Sequence, residues 1–487
     1  MTSQSRYRFW LTFGLSGIIT LLWASDARNP SHVVRNVLIV TLDTTRADVL
    51  SAYATDQVET PALDRLSGEG TVFEQATSTV PLTLPAHCSL FTGLLPPHHG
   101  VRDNVDPPLG DAYTTLAEVL RGNGARTAAF VGSAVVDARR GLAQGFDLYS
   151  DGQRGNRNPR LRRPANVVVD EATAWLARQQ TPFFAWVHLY DAHAPYALPE
   201  PYRTMYEDAP YLGAIAFMDS QLQRLLNLLD DHQLTEHTIV IVAADHGESL
   251  GDHGEAGHGI FVYQSTLRVP LIVRVPRLLP KRVSELVRIV DVMPTVLDVL
   301  GVHQRPTDGT SLVGLMTGQI AHLDLDAYSE SLYPRRFGWA ELRTIRAGRF
   351  KFVSAPRPEL YDLEKDPAET RNLYDERIDL AAAMRAALDR VARPSRADMT
   401  AASAPEPELV ERLAALGYVS PTPALHNNSS EGTLEDPKDC IGIYNRIVQS
   451  RGASPATRRA SVNRVFALES GAFGDRVPCF AKSPLIQ

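Results

Sequence analysis

Three apolar runs in this chain end in a carboxylate or an imidazole. NVLIVTLD closes on Asp43, PFFAWVHLYD on Asp191, and HTIVIVAADH on Asp245 and His246. Side chains of these types are the ordinary oxygen and nitrogen ligands of a divalent cation. A single Asp after a strand is as readily a turn or capping residue, so the reading rests on three such endings, an Asp-His pair among them. Between the first two runs, TVPLTLPAHCSLFTG offers two nucleophiles, Thr83 and Cys88. The thiol is intrinsically stronger, whereas a lone Thr before Leu-Pro reads as a helix N-cap. Further on, His193 stands two residues after Asp191, so an extended segment points both the same way. GHGIF adds His258.

These residues need a scaffold that gathers strand ends. NVLIVTLD is a continuous β-branched run, the mark of a strand buried on both faces. RTAAFVGS, PFFAWVHLYD, HTIVIVAADHG and LRVPLIVRVP repeat the pattern. Helical patterns separate them at TPALDRLSGEG (Thr cap, Pro at the first position, Gly stop), TTLAEVLRGNG, NVVVDEATAWLARQQ, GAIAFMDSQLQRLLNLLDD and IVDVMPTVLDVLG. The alternation predicts an α/β domain over residues 36–318, with a largely parallel central sheet flanked by helices. In such sheets ligands bind beyond the carboxyl ends of the strands, where Asp43, Asp191 and Asp245-His246 fall. A small α+β subdomain is expected over 319–395, from short strand patterns and one amphipathic helix in DERIDLAAAMRAALDRVAR. Residues 396–487 begin as a linker by composition and continue without a clear period.

Residues 1–35 stand apart. Arg6 and Arg8 precede an uncharged, mostly apolar run from Phe9 to Ala24, the arrangement of a signal peptide or an uncleaved anchor followed by a short linker. Export is expected, with the catalytic body outside the cytoplasm, periplasmic in a two-membrane cell, and membrane association if the segment is retained. A formal charge of −7 with no long basic block excludes a nucleic-acid binder. Three cysteines exclude a disulfide framework and a CxxC metal knuckle, although a Cys440–Cys479 bridge would suit an oxidising compartment.

In series, NVLIVTLDTTRADVLSAYA, TPALDRLSGEGTVFEQATS, TLPAHCSLFTGLLPPHHG, HLYDAHAPY, AADHGESLGDHG and LRVPLIVRVP resemble the successive blocks of the sulfatase family, within the alkaline-phosphatase superfamily. PELYDLEKDPAETRNLY resembles that family's small C-terminal subdomain, so the likeness runs over residues 36–395. It implies a sulfatase-like fold, an anionic ester substrate such as that of a glycan or envelope component, and a divalent metal. Sulfatases carry Cys or Ser in C/S-x-P-x-R, oxidised to formylglycine. TLPAH aligned to that motif puts Thr83 at the nucleophile and His87 where Arg is expected, while Cys88 is followed by SLF and becomes a packed helix residue. The helix N-terminus would favour an anion in front of Thr83. Threonine has no second hydroxyl to expel sulfate, so it implies an ordinary covalent ester opened by water, as in phosphorus-processing relatives.

The metal shell departs from the pattern too. Where sulfatases commonly show Asp-Asp, this chain has Asp43-Thr44, leaving Asp43, Thr83, Asp245 and His246 as ligands with Thr44 in support. That small mixed shell suits zinc or manganese, and zinc is placed first, whereas the family implies calcium or magnesium. By resemblance His193 is the acid near the leaving group, and His258 stands where many sulfatases bind sulfate through lysine. In the order of alkaline phosphatase, Asp191, His193 and His258 would instead hold a second metal. The leading expectation is an exported metal-dependent hydrolase of sulfate or phosphate esters working through Thr83. The alternatives are an envelope phosphoethanolamine-type transferase and a non-catalytic anion-binding relative.

Overall fold

The computed structural model describes residues 34–393 apart from 54–55, 153–160, 181 and 304–305, together with Arg412, residues 434–449 and Cys479. The apolar run Phe9–Ala24 and most of 396–487 lie outside the described residues. Among the described residues no helix is long and apolar enough to cross a membrane.

Eight strands form one sheet: β1 (Asn36–Leu42), β2 (Thr71–Thr77), β3 (Arg126–Val131), β4 (Leu148–Ser150), β5 (Phe183–Leu189), β6 (Thr238–Ala243), β7 (Leu271–Arg274) and β8 (Lys281–Arg288). Their order is β4-β3-β5-β1-β6-β7-β2-β8. The first five in that order run parallel, as does the β2–β8 pair, while β7 lies antiparallel to β6 and β2. Strand β1 shows why its sequence is continuously apolar. Val37 and Ile39 enter the core on one face, and Leu38, Val40 and Leu42 enter the core on the other.

Helices cover both faces. α1 (Pro61–Glu69), α3 (Ala165–Leu176) and α4 (Pro210–Asp231) bury Leu63, Val168 and Leu222 among others against one side. α2 (Thr83–Thr92) and α5 (Val292–Val299) pack on the opposite side with Leu84, Phe91 and Val296. A small antiparallel sheet follows: β9 (Asp326–Ser331), β10 (Leu342–Ala347), β11 (Phe350–Ser354) and β12 (Glu359–Asp362), in the order β12-β11-β10-β9. α6 (Ile378–Val391) covers it through Ala381, Met384 and Leu388. This is the expected mixed α/β architecture with a small second sheet.

Three strands of this sheet escaped the sequence pattern, TVFEQAT in β2, LYS in β4 and KRVSELVR in β8. β4 is only three residues long, β8 is an edge strand whose charged residues face solvent, and half-exposed Glu74 and Gln75 interrupt the apolar run of β2. Cys440 and Cys479 are joined by a disulfide, with Cα atoms 5.5 Å apart. Cys440 lies on α7 (Pro437–Gln449). Tyr444 of α7 donates to the His258 carbonyl at 3.0 Å, and its Asn445 accepts from Ala256 N–H at 3.0 Å. A stretch without clear periodicity thus supplies a helix that holds the loop carrying His258.

Candidate active site

The site begins where β1 and β6 end side by side. Their register aligns Thr41 with Ala243, so Asp43 and Asp245 emerge together just beyond the sheet. Asp43, Asp245 and His246 are fully buried, and their ligand atoms lie within 4.8 Å of one another. Among the described residues this is the one His/Cys/Asp/Glu cluster so arranged. Thr44 is also buried there. Its backbone takes a left-handed φ of 51°, unusual for a β-branched residue. That turn points its N–H at Asp245 Oδ1, 3.3 Å away, and its carbonyl accepts from the Tyr211 hydroxyl.

Asp245 Oδ1 accepts a second bond from its neighbour's amide, His246 N–H, at 2.9 Å. Asp245 Oδ2 and both carboxylate oxygens of Asp43 lack a hydrogen-bond donor although they are buried. Burial, and then the adjacent Asp245 charge, push the Asp43 carboxyl well above the usual carboxylate range. Unpaired buried carboxylates side by side are costly unless a cation neutralises them. The donor set therefore fits a divalent ion.

His246 donates Nδ1–H to the Gly247 carbonyl at 2.9 Å, which leaves Nε2 bare on the side of the cluster. Burial takes its pKa down to about 4, so it stays neutral. Nε2 lies 3.4 Å from Thr83 Oγ1. Thr83 is the first residue of α2 and completely buried, as its expected place at the helix N-terminus requires. One expectation about that terminus is corrected. The Leu84 N–H is not free for an anion, because Asn104 Oδ1 accepts it at 2.9 Å.

His87, in the position expected to hold Arg, is turned inward along its own helix. Its Nδ1–H donates to the Thr83 carbonyl at 2.7 Å, and its Nε2 meets Thr41 Oγ1 at 3.1 Å. It braces the backbone that carries Thr83. Cys88 is fully buried and burial raises its thiol pKa far out of reach of thiolate formation. Cys88→Ala should accordingly leave kcat/KM within about three-fold and cost a few kcal/mol of stability at most, read by steady-state rates and thermal melting.

The structure does not gather Asp191, His193 and His258 as a second metal set. Both Asp191 oxygens accept from Ala165 N–H at the start of α3, at 3.0 and 3.2 Å. Asp191 thus caps the first turn of α3, and the ligand cluster among the described residues is Asp43, Asp245 and His246. His193 and His258 do remain neighbours, with ring centroids 5.0 Å apart, and His258 is 4.5 Å from His246.

His193 and His258 sit in contrasting electrostatic surroundings. His193 gives Nδ1–H to the Ala194 carbonyl at 2.7 Å, and burial followed by the charge of His258 holds its pKa well below the usual value. His258 donates Nδ1–H to Glu248 Oε1 at 3.0 Å. Burial opposes its charged form, but the charge and hydrogen bond of Glu248, with the charges of Glu255 and Asp245, together raise its pKa. A raised pKa keeps the proton to higher pH, and the acid form is lost as pH climbs through that value. Glu248→Gln should therefore move the alkaline limb of the kcat/KM profile to lower pH.

The sequence pattern missed Glu248, Thr41 and His188. His188 sits in the middle of the apolar β5 and is completely buried, with Nε2 3.6 Å from Asp43 Oδ2. An imidazole inside a strand buried on both faces was the signal that could have found it.

With this geometry in place, similarity to known proteins becomes informative. The family model described as Sulfatase matches residues 35–302, more than half of the chain. The chain belongs to the sulfatase family. The model described as N-sulphoglucosamine sulphohydrolase, C-terminal, matches residues 251–393 of the same family member. An arylsulfatase of Clostridium perfringens is 24% identical, over 71% of this chain and 92% of its own length. A choline-sulfatase of Rhizobium meliloti is also 24% identical, over 70% and 82%. The crystal structure of a phosphonate monoester hydrolase of Agrobacterium radiobacter superposes with a TM-score of 0.64 at 23% identity, over 73% of this chain and 95% of that one. This sulfatase-family chain is an ester hydrolase with the fold of the alkaline-phosphatase superfamily.

Proposed function

We propose that this chain is an exported, metal-dependent hydrolase of sulfate or phosphate esters in which Thr83 is the covalent nucleophile. The observation that carries this reading is the buried Thr83 hydroxyl, 3.4 Å from His246 Nε2 in the site that also holds the Asp43 carboxylate and the unpaired Asp245 Oδ2. Asp43, Asp245 and His246, with Thr83 itself, would hold the divalent ion. When bound it would lower the pKa of the threonine hydroxyl and offset the charge of an anionic ester.

The chain's own residues supply the rest. Thr83 Oγ1 forms a bond to sulfur or phosphorus as the bond to the alcohol oxygen breaks, with the hydroxyl proton passing to the carboxylate wall. His258, whose proton is hydrogen-bonded to Glu248 and whose pKa is raised, gives up a proton to the departing oxygen. The neutral imidazole left behind can take a proton from the water that opens the Thr83 ester. His193 lines the same side with its Nδ1–H committed to Ala194. His87 holds the Thr83 carbonyl and so the entry of α2.

Threonine in place of formylglycine favours phosphoesters over sulfate esters, because no second hydroxyl exists to eject sulfate by elimination. The phosphonate monoester hydrolase with the same fold supports that breadth. Sulfated glycans are a substrate class worth testing, because one structural neighbour was solved with D-glucosamine-2-N,6-O-disulfate. The disulfide supports export, since such bonds persist in oxidising compartments. The deciding experiment is turnover of aryl sulfate, phosphate monoester and phosphodiester substrates with and without a chelator. Full activity after complete metal removal would end the proposal.

A further inference from the structure

Resting on the reading of His258 as the group that protonates the departing oxygen, we infer that Tyr444 and Asn445 of α7 are positioning residues of the active site. They hold the backbone on either side of His258 so that its imidazole meets the leaving group. α7 lies beyond residue 393, the last that the family models match, so family membership assigns it no role.

Residues 255–263 form neither helix nor strand, so the place of His258 is set by side chains. Glu255 closes the loop on itself. Its buried carboxylate accepts from the Ile260 and Phe261 amides at 2.8 and 3.2 Å and from Ser249 Oγ at 3.0 Å. Ser249 N–H donates to the Gly257 carbonyl at 2.9 Å. The next two carbonyls are taken by the C-terminal part of the chain. The Tyr444 hydroxyl donates to the His258 carbonyl at 3.0 Å, and Ser331, the last residue of β9, donates to the Gly259 carbonyl. Before His258, Asn445 accepts from Ala256 N–H at 3.0 Å and donates to the Gly254 carbonyl at 2.6 Å. Gly259 has a φ of 106°, and a Cβ there would lie 3.1 Å from the Tyr333 ring, so this turn needs glycine.

α7 is anchored well enough to impose that placement. Cys440 and Tyr444 stand one turn apart on the same face of the helix. Cys440 is joined to Cys479, whose carbonyl accepts from Trp339 Nε1–H at 3.1 Å. Trp339 stacks on Phe337 with ring centroids 4.8 Å apart, and the buried Tyr444 ring meets Phe337 edge-on at 5.8 Å. Packing thus fixes the Tyr444 hydroxyl before it reaches the loop. With its carbonyl held from α7 and its Nδ1–H held by Glu248, His258 is fixed at both ends. Proton transfer needs a heavy-atom approach of about 2.6–3.2 Å. A misplacement of about 1 Å costs about 10²-fold.

The test compares phenyl and 4-nitrophenyl phosphate, or the two sulfates if those turn over faster, with the metal-loaded full chain. Phenolate needs a proton to depart, whereas 4-nitrophenolate leaves readily without one. Tyr444→Phe keeps the ring and removes one hydrogen bond. It should lower kcat/KM on the phenyl ester by about 10-fold and on the nitrophenyl ester by no more than about three-fold. Asn445→Ala should act in the same direction. His258→Ala should itself lose more on the phenyl ester, and adding Tyr444→Phe to it should cost no more than about two-fold further. No loss, equal losses on the two esters, or additive losses in the double variant make Tyr444 a packing residue and overturn the inference. Hydrogen exchange of the wild-type protein needs no variant, so it decides even if Tyr444→Phe misfolds. The Ala256 amide should be protected, and fast exchange there overturns the inference. A leaving-group effect in His258→Ala but not in Tyr444→Phe sinks the inference alone. Equal losses in His258→Ala, or a wild type that cleaves neither ester, sink the reading of His258 and the inference with it.

Discussion

Thr83→Ala should lower kcat/KM by at least about 10³-fold while the protein stays folded. That magnitude is typical when a covalent nucleophile is lost from a site whose binding groups remain. The fold should tolerate the change because α2 is held by its apolar residues, Leu84, Leu90 and Phe91 among them, and Leu84 N–H keeps its bond to Asn104. The accompanying signature is covalent. Wild-type enzyme quenched in the steady state should carry a phosphoryl or sulfuryl group on the peptide containing Thr83, visible by mass spectrometry. Phosphoesters should turn over faster than sulfate esters for lack of an elimination route. Should Thr83 remain unmodified with every good substrate and Thr83→Ala keep its rate, an activated water is the nucleophile and the threonine only opens the helix.

The second large effect belongs to Asp245. Asp245→Asn keeps the oxygen that accepts from Thr44 and His246 but removes the charge and the unpaired Oδ2. It should empty the cation site and reduce turnover by at least about 10²-fold, measured by metal analysis alongside rates. Stability should move the opposite way in chelated protein. The Asp43 carboxyl is raised by burial and by Asp245. A raised carboxyl contributes stability at low pH that is lost as pH climbs through its folded value. Metal-free wild type should therefore weaken across that rise, and Asp245→Asn, with one charge fewer, should weaken less. Thermal melts in chelator across pH read this directly. Equal pH dependence in the two proteins would remove the charge argument.

Much of the scaffold was legible because burial on both faces leaves a plain mark. β1, β5 and β6 are runs in which every residue is buried, and each run ends at a polar residue close to the chemistry. Helix α1 was equally plain, with Pro61 at its start and Gly70 at its end. Thr83, Asp43, Asp245 and His246 follow from that reading, because they sit at the ends of predicted elements and motif order places them.

Other assignments depended on direction, which one-dimensional spacing does not carry. Asp191 and Asp43 end neighbouring parallel strands, yet Asp43 faces Asp245 while Asp191 turns back to cap α3. His193 and His258 share a pattern-level description, and only tertiary neighbours, Glu248 first among those that favour charge, raise the pKa of His258. His188 was hidden inside an apolar run, where nothing in the sequence distinguishes a packed ring from one whose nitrogen reaches the site. By itself the sequence determined the parallel sheet, the edge that bears the chemistry and the threonine at the helix start, since these depend on period and chain order. Tertiary structure alone decided which lone pairs are bare and which imidazole has its pKa raised and which lowered. Those properties depend on hydrogen bonds and charges brought together from residues as far apart as Thr41, Trp186 and His258.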